Sequence, residues 1–154
     1  MTKVLSGWAL QYSVRFPILL KYLGQLALVL AVLVVPPLTM AALDGDPTAT
    51  LRHGLVLIAL VGFGLPLARL PTLVPIQGNE ALAIAALAFI LGAFVMALPL
   101  MSSGLDWLDA VFESTSAITT TGLTTLASVE DKPRYFLFAR AWQQWYGGLG
   151  IVVL

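Results

Sequence analysis

The sequence predicts an all-α integral membrane protein built from an N-terminal helix pair followed by one helix, re-entrant loop, helix repeat. Three observations carry that expectation. Of 154 residues, 59% are hydrophobic and 10% charged, with a mean hydropathy of +0.93, so there is too little polar surface to cover a soluble globule of this size. Apolar stretches free of charge recur along the chain at lengths suited to a hydrocarbon core. Between the last two of them lies Asp109-Ala-Val-Phe-Glu-Ser-Thr-Ser-Ala-Ile-Thr119-Thr-Thr-Gly122-Leu-Thr124, a short amphipathic helix running into a hydroxyl-rich, glycine-bearing turn. Non-helical backbone is tolerated at membrane depth only where it is buried in protein or lines a wet cavity, so this turn implies a passage for something polar. The candidate cargo is a cation.

The charge balance narrows the remaining classes. Lys plus Arg and Asp plus Glu stand at eight each, so no basic face advertises nucleic acid. There is no cysteine and one histidine, His53, which removes disulfides, thiolate sites, cysteine nucleophiles and His-rich metal sites together. No paired carboxylates and no nucleophile with a base appear at workable spacing, so no enzyme is expected. Membrane lipid is the expected surrounding.

The elements follow in order. Trp8, Tyr12, Arg15 and Phe16 mix aromatic and basic character, which suits an interfacial leader, with Pro17 opening the first helix. Tyr22 to Leu43 carries no charge and is long enough to cross; it reads as a retained anchor, although Thr39-Met40-Ala41 loosely resembles a cleavage site. Asp44-Gly-Asp-Pro47 is a turn by composition. The second span is shorter, Gly54 to Ala68, interrupted by Gly62, Gly64 and Pro66, and it requires Arg52 and Arg69 to snorkel towards the headgroups. Pro71 and Pro75 break the chain before the third span, Ala81 to Met101. Asp106 then caps a short helix expected to end near Ile118, with Asp109 in its first turn, where negative charge is welcome. After the threonine-rich turn and the polar loop from Glu130 to Pro133, Arg134 onward is a fourth span reaching Leu154. Residues 1–78 thus form the helix pair with its leader, and residues 79–154 the repeat, cut off in its last helix. Lys3, Arg15 and Lys21 precede the first span and acids follow it, which places the N-terminus in the cytoplasm.

The turn carries the chemistry. Shedding water from a monovalent cation is costly, and a protein offsets that cost by presenting backbone carbonyl oxygens where the waters were. Thr119, Thr120, Thr121 and Gly122 can supply them, with Gly122 providing freedom from Cβ constraints and the hydroxyls either bracing the backbone or adding a ligand. The helix from Asp106 to Ile118 aims its negative end at the path, and Asp109 and Glu113 are expected to belong to that field. Gly147, Gly148 and Gly150 follow no strand, so close helix packing in lipid accounts for them better than a phosphate-binding turn. Glu80 reads as an interfacial charge at a helix start, and His53 as a headgroup neighbour.

Two motifs resemble the Trk/Ktr/HKT superfamily of potassium uptake proteins, and most closely its TrkH-type membrane subunit. Asp109-Ala-x-Phe-Glu-x-x-Ser-Ala-x-Thr119-Thr-Thr-Gly122 is similar to the family's first pore helix and filter, and Gln144-Trp-x-Gly147-Gly-x-Gly150-Ile-Val to the start of the helix after it. The resemblance runs from about Asn79 to the end. It implies a potassium-channel-like architecture of four linked helix, pore loop, helix repeats, with K+ as the transported ion at Thr120, Thr121 and Gly122, beside Thr119. It further implies no covalently bound cofactor, a plasma membrane location, a dimer, and a cytosolic nucleotide-binding regulatory subunit, TrkA-like, beneath. Glycine rather than serine at position 122 favours potassium over sodium by analogy with the plant relatives.

The pattern Thr-Thr-Gly does not recur in this sequence, and one copy cannot close a carbonyl cage. The remaining pore repeats must come from the same parent chain or from other copies, and the stop at Val153-Leu154 favours an N-terminal fragment. A homotetrameric channel of single-repeat subunits and a non-conducting assembly subunit are the alternatives.

Overall fold

The computed structural model describes residues 15–71 and 75–153; the leader aromatics Trp8 and Tyr12, together with Lys3 and Leu154, lie outside them. Among the described residues the chain is helical with no strand, in the order α1 (Phe16–Leu43), α2 (Pro47–Ala68), α3 (Gly78–Leu100), α4 (Trp107–Ile118) and α5 (Arg134–Val153). One 3-10 turn, Met101–Ser103, extends α3.

Helix α1 opens with Pro17 in its first turn, where a missing amide costs nothing, and its 28 residues reach roughly 42 Å. Helix α2 begins earlier than the apolar run suggests. The Asp46 side chain accepts from the Ala49 amide at 2.8 Å, and Pro47 supplies a pre-set first position, so the helix has 22 residues and does not depend on a short Gly54–Ala68 core. Nor do Gly62, Gly64 and Pro66 interrupt it. A Cβ on Gly24 of α1 would meet the backbone of Ala68, and one on Gly64 would lie 3.0 Å from the Gly24 carbonyl oxygen, so this pair of glycines lets the two helices touch backbone to backbone.

Two sets of bonds fix the relative directions of the helices. At one end of the bundle the Tyr135 amide donates to Asp44 Oδ2 at 2.9 Å, and Lys132 Nζ donates to the Ser103 carbonyl at 3.2 Å, which gathers the end of α1, the end of α3 and the start of α5. At the other end Arg15, just before α1, pairs with Glu80 in the first turn of α3, Nε to Oε1 at 2.8 Å. Glu80 also accepts from the Gln77 amide at 3.0 Å. It does stand at a helix start, where it is fully buried beneath that guanidinium. His53 is likewise buried, with Nδ1 2.8 Å from the Ala49 carbonyl oxygen, and is no headgroup neighbour. Arg69 is exposed as snorkelling requires, whereas Arg52 is half-buried.

Pro37 sits inside α1 and has no amide to give the Leu33 carbonyl four residues before it. The indole Nε1 of Trp142 donates to that oxygen at 2.8 Å, replacing the lost helix bond from α5. Such replacement matters in lipid, where no water is at hand.

Among the described residues three helices are long and apolar enough to cross a membrane: α1, α2 and α3 with its 3-10 extension. Many of their large apolar side chains point outward, Val32, Ile58, Phe63 and Leu82 among them. The 20 residues of α5 are not in that set, because Arg140, Gln143 and Gln144 lower its hydropathy. Gln143 is turned into the protein and is 1% exposed.

Candidate functional site

Helix α4 enters from the end of the bundle that holds Asp44 and stops partway down. The Asp106 carboxylate accepts from the Asp109 amide at 2.8 Å, the cap the sequence announces, and twelve residues later the helix ends at Ile118. Ile118 is gripped from two sides. A Cβ on Gly92 of α3 would lie 2.8 Å from Ile118 Cδ1, and a Cβ on Gly147 of α5 would collide with the Ile118 carbonyl oxygen itself. Gly92 lies about 12 Å below the end of α3 at the helical rise, so the turn sits well inside the bundle's length. The chain then climbs back to start α5 at the end it came from. Gly147 and Gly148 of the second motif are therefore packing sites against the end of α4 and the turn, with Thr120 Cγ2 3.4 Å from the Cβ position of Gly148, whereas Gly150 faces Phe89 of α3 at 3.6 Å.

The turn's backbone is sorted by polarity. The amides of Thr119, Thr120, Thr121 and Gly122 all point back, donating to the carbonyls of Thr115, Ala117, Ser116 and Ser116 at 3.0, 2.9, 2.9 and 3.3 Å. This satisfies the carbonyls of Thr115, Ser116 and Ala117 in the last turn of α4, which a helix end otherwise leaves bare. Among the described residues no hydrogen bond ends on the carbonyl oxygens of Thr119 to Gly122. Reversing direction so sharply requires left-handed backbone at two places, Gly122 at φ +78° and Thr120 at φ +59°. For a β-branched residue the second value is an outlier, of the kind that persists only when the surroundings hold it. The Thr119 hydroxyl donates to the Thr115 carbonyl at 2.7 Å and lies 2.8 Å from the Thr121 hydroxyl, so both brace the turn. Thr119 is half-buried; Thr120, Thr121 and Gly122 are exposed on one face of this unit.

Behind the turn lies a buried polar network. Glu113, with no exposure, accepts from the Thr124 hydroxyl at 2.5 Å and from the Thr125 amide at 2.9 Å. Its other oxygen lies 2.7 Å from Arg140 Nε, an ion pair by distance that is not aligned as a hydrogen bond. Arg140 Nη2 and Ser116 Oγ both donate to the Leu123 carbonyl, at 2.9 and 2.6 Å. Ser114 Oγ donates to Gln143 Oε1 at 2.9 Å, tying α4 to α5. The two acids expected to add to the field at the turn thus stand differently. Glu113 is neutralised by a guanidinium, and Asp109 occupies the first turn of α4, about 15 Å from Thr119 along the helix.

Thr119 to Gly122 form one turn, whereas Arg140, Ser116 and Gln143, which support it, are not singled out by the sequence reading. A signal for Arg140 exists, since an ionisable residue inside an apolar helix implies a named partner, and Glu113 is the nearest acid on the preceding helix.

The sequence pattern of TrkH, described as cation transport protein, matches residues 48–154, which include the whole turn, its bracing network and both motifs. The chain belongs to the TrkH family. Family members similar to it include TrkI, a Trk system potassium uptake protein of Halomonas elongata, 34% identical over 145 residues, covering 91% of this chain and 29% of that protein. TrkH of the same organism is 37% identical over 144 residues, covering 88% and 29%. An uncharacterized cation transporter of Methanocaldococcus jannaschii is 42% identical over 94 residues, covering 60% and 20%. The chain therefore spans between 20 and 29% of the length of these TrkH relatives. Its membership and its three apolar helices make it a multi-pass membrane protein.

Proposed function

We propose that this chain forms one wall of a potassium uptake path in the plasma membrane, with the carbonyl oxygens of Thr119, Thr120, Thr121 and Gly122 replacing water around K+. The observation that carries this reading is the sorting of the turn. Every amide is consumed by the end of α4 while the adjacent oxygens take no hydrogen bond, which leaves a row of partial negative charges on the exposed face. An amide turned outward would repel a cation. The two bracing hydroxyls and the grip on Ile118 keep that row in place without occupying it.

Exposure of the row is what one wall of a shared path requires. Residues 79–154 act as the first repeat, and further repeats supply the facing walls, so that a ring of oxygens closes around the ion. The N-terminus is cytoplasmic, which brings ions to the turn from outside and lets the membrane potential drive them inward at about 2.3 kcal/mol per charge per 100 mV. Pairing of whole transporters as dimers and control by a cytosolic TrkA-like nucleotide-binding subunit complete the proposal. Names of the Halomonas elongata relatives as potassium uptake proteins support the choice of ion.

The test is Gly122→Ser in the protein expressed from its own gene in a potassium-uptake-deficient bacterium. Serine at φ +78° strains the backbone by about 1 kcal/mol and shifts the neighbouring oxygens. The K+ to Na+ uptake ratio is expected to fall. An unaltered ratio at normal protein level would remove the turn from the ion path.

A further inference from the structure

We infer that Arg140 is a specificity-determining positioning residue: together with Ser116 it saturates the Leu123 carbonyl and so ends the row of ion-facing oxygens at Gly122. This rests on the reading of the turn as an ion path. A peptide oxygen has two lone pairs. At Leu123 one is taken by Ser116 Oγ at 2.6 Å and the other by Arg140 Nη2 at 2.9 Å, while the preceding carbonyls accept nothing among the described residues. The boundary between coordinating and non-coordinating oxygens therefore falls between Gly122 and Leu123. Two donors draw it, neither of them in the turn.

Arginine suits this position for a geometric reason. One edge of the guanidinium faces Glu113 Oε2, 2.7 Å from Nε, and a terminal nitrogen reaches the Leu123 oxygen, so one planar fork joins the buried acid to the backbone. The same carboxylate holds the Thr124 hydroxyl and the Thr125 amide, so three successive residues after the glycine are pinned from behind. The ion pair also keeps the guanidinium from acting as a bare positive charge beside the path. A lysine would keep the charge opposite Glu113, but its point-like ammonium cannot serve both partners in that fork. A freed Leu123 oxygen would extend the row and loosen the segment that sets its spacing.

The experiment compares wild type, Arg140→Lys, Ser116→Ala, the double variant and Gly122→Ser, each expressed from the protein's own gene in a cell lacking other potassium uptake. K+ and Na+ uptake are measured at matched membrane protein level. Arg140→Lys and Ser116→Ala are each expected to lower the K+ to Na+ ratio about fivefold, the effect of one hydrogen bond. The double variant should fall no further than the worse single one, because both donors act on one oxygen. A merely structural role would lower protein amount and leave the ratio alone. Should Arg140→Lys not accumulate, Ser116→Ala decides the matter alone, since it changes no charge. An unchanged ratio in Ser116→Ala, with Gly122→Ser still shifting it, overturns the role of the Leu123 cap and leaves the ion path standing. If Gly122→Ser also leaves the ratio unchanged, the path itself is wrong and this inference falls with it.

Discussion

The α1–α2 pair and the α4–turn–α5 unit solve different problems within one bundle. The pair is held by close apolar contact, with Gly24 against Ala68 and Ala31, Val34, Val56 and Leu60 between the helices. Its backbone is regular helix, which satisfies itself. Around the turn the backbone leaves the helix at depth, and a set of buried side chains takes over, Glu113, Ser114, Ser116 and Gln143, joined by the half-buried Arg140. The difference teaches that around the turn buried polar side chains take over where the backbone ladder breaks, whereas in the pair His53 is buried within an intact helix. Pro37 is the exception inside the pair that obeys the same rule, since its missing amide is replaced by Trp142.

The largest effect should come from cutting the network where charge is buried. Arg140→Gln leaves the Glu113 carboxylate unpaired, and a loss of about 3 to 5 kcal/mol is expected by thermal unfolding in detergent. Glu113→Gln in the same chain should return part of it; no recovery would mean that the guanidinium acts chiefly through Leu123. Next comes the grip on Ile118. Gly147→Ala drives a methyl into a backbone carbonyl and should cost about 3 kcal/mol, whereas Gly54→Ala, with open space around it in α2, should be neutral or stabilising by up to about 1 kcal/mol. Equal effects at the two glycines would erase the contrast between the regions.

A finer test addresses the exception. Trp142→Phe should cost roughly 1 kcal/mol in the native background and much less once Pro37→Ala restores an amide for Leu33. The same loss in both backgrounds would show that the indole bond does not compensate for the proline. A loss of similar size, about 1 kcal/mol, is expected for Ser114→Ala, since Gln143 Oε1 would be left buried without its donor.

Much of this was legible along the chain. Asp106, Asp109 and Ile118 bound α4 as capping rules require, and the hydropathy of α1 and α3 marks them as spans. The start of α2 was also written there, in Asp46-Pro47, but an apolar run is a poorer guide to a helix boundary than a cap. Burial of Glu80 and His53 was not legible, because it depends on helices meeting at distant positions: Arg15 reaches Glu80 across 65 residues. The Glu113–Arg140 pair was not legible for the same reason, since it joins residues of two helices. Local chemistry fixed the short helix; only packing could tell which of its side chains faced inward.

The meeting of Gly147 with the Ile118 carbonyl has a mechanical corollary. Where main chain rests on main chain there is no rotamer to adjust, so the depth of the helix tip is set by bond lengths and van der Waals radii rather than by side-chain choice. Such a joint has almost no play. On the proposed reading of the turn as an ion path, that stiffness bears on selectivity, since alkali ions differ in radius by a fraction of an ångström.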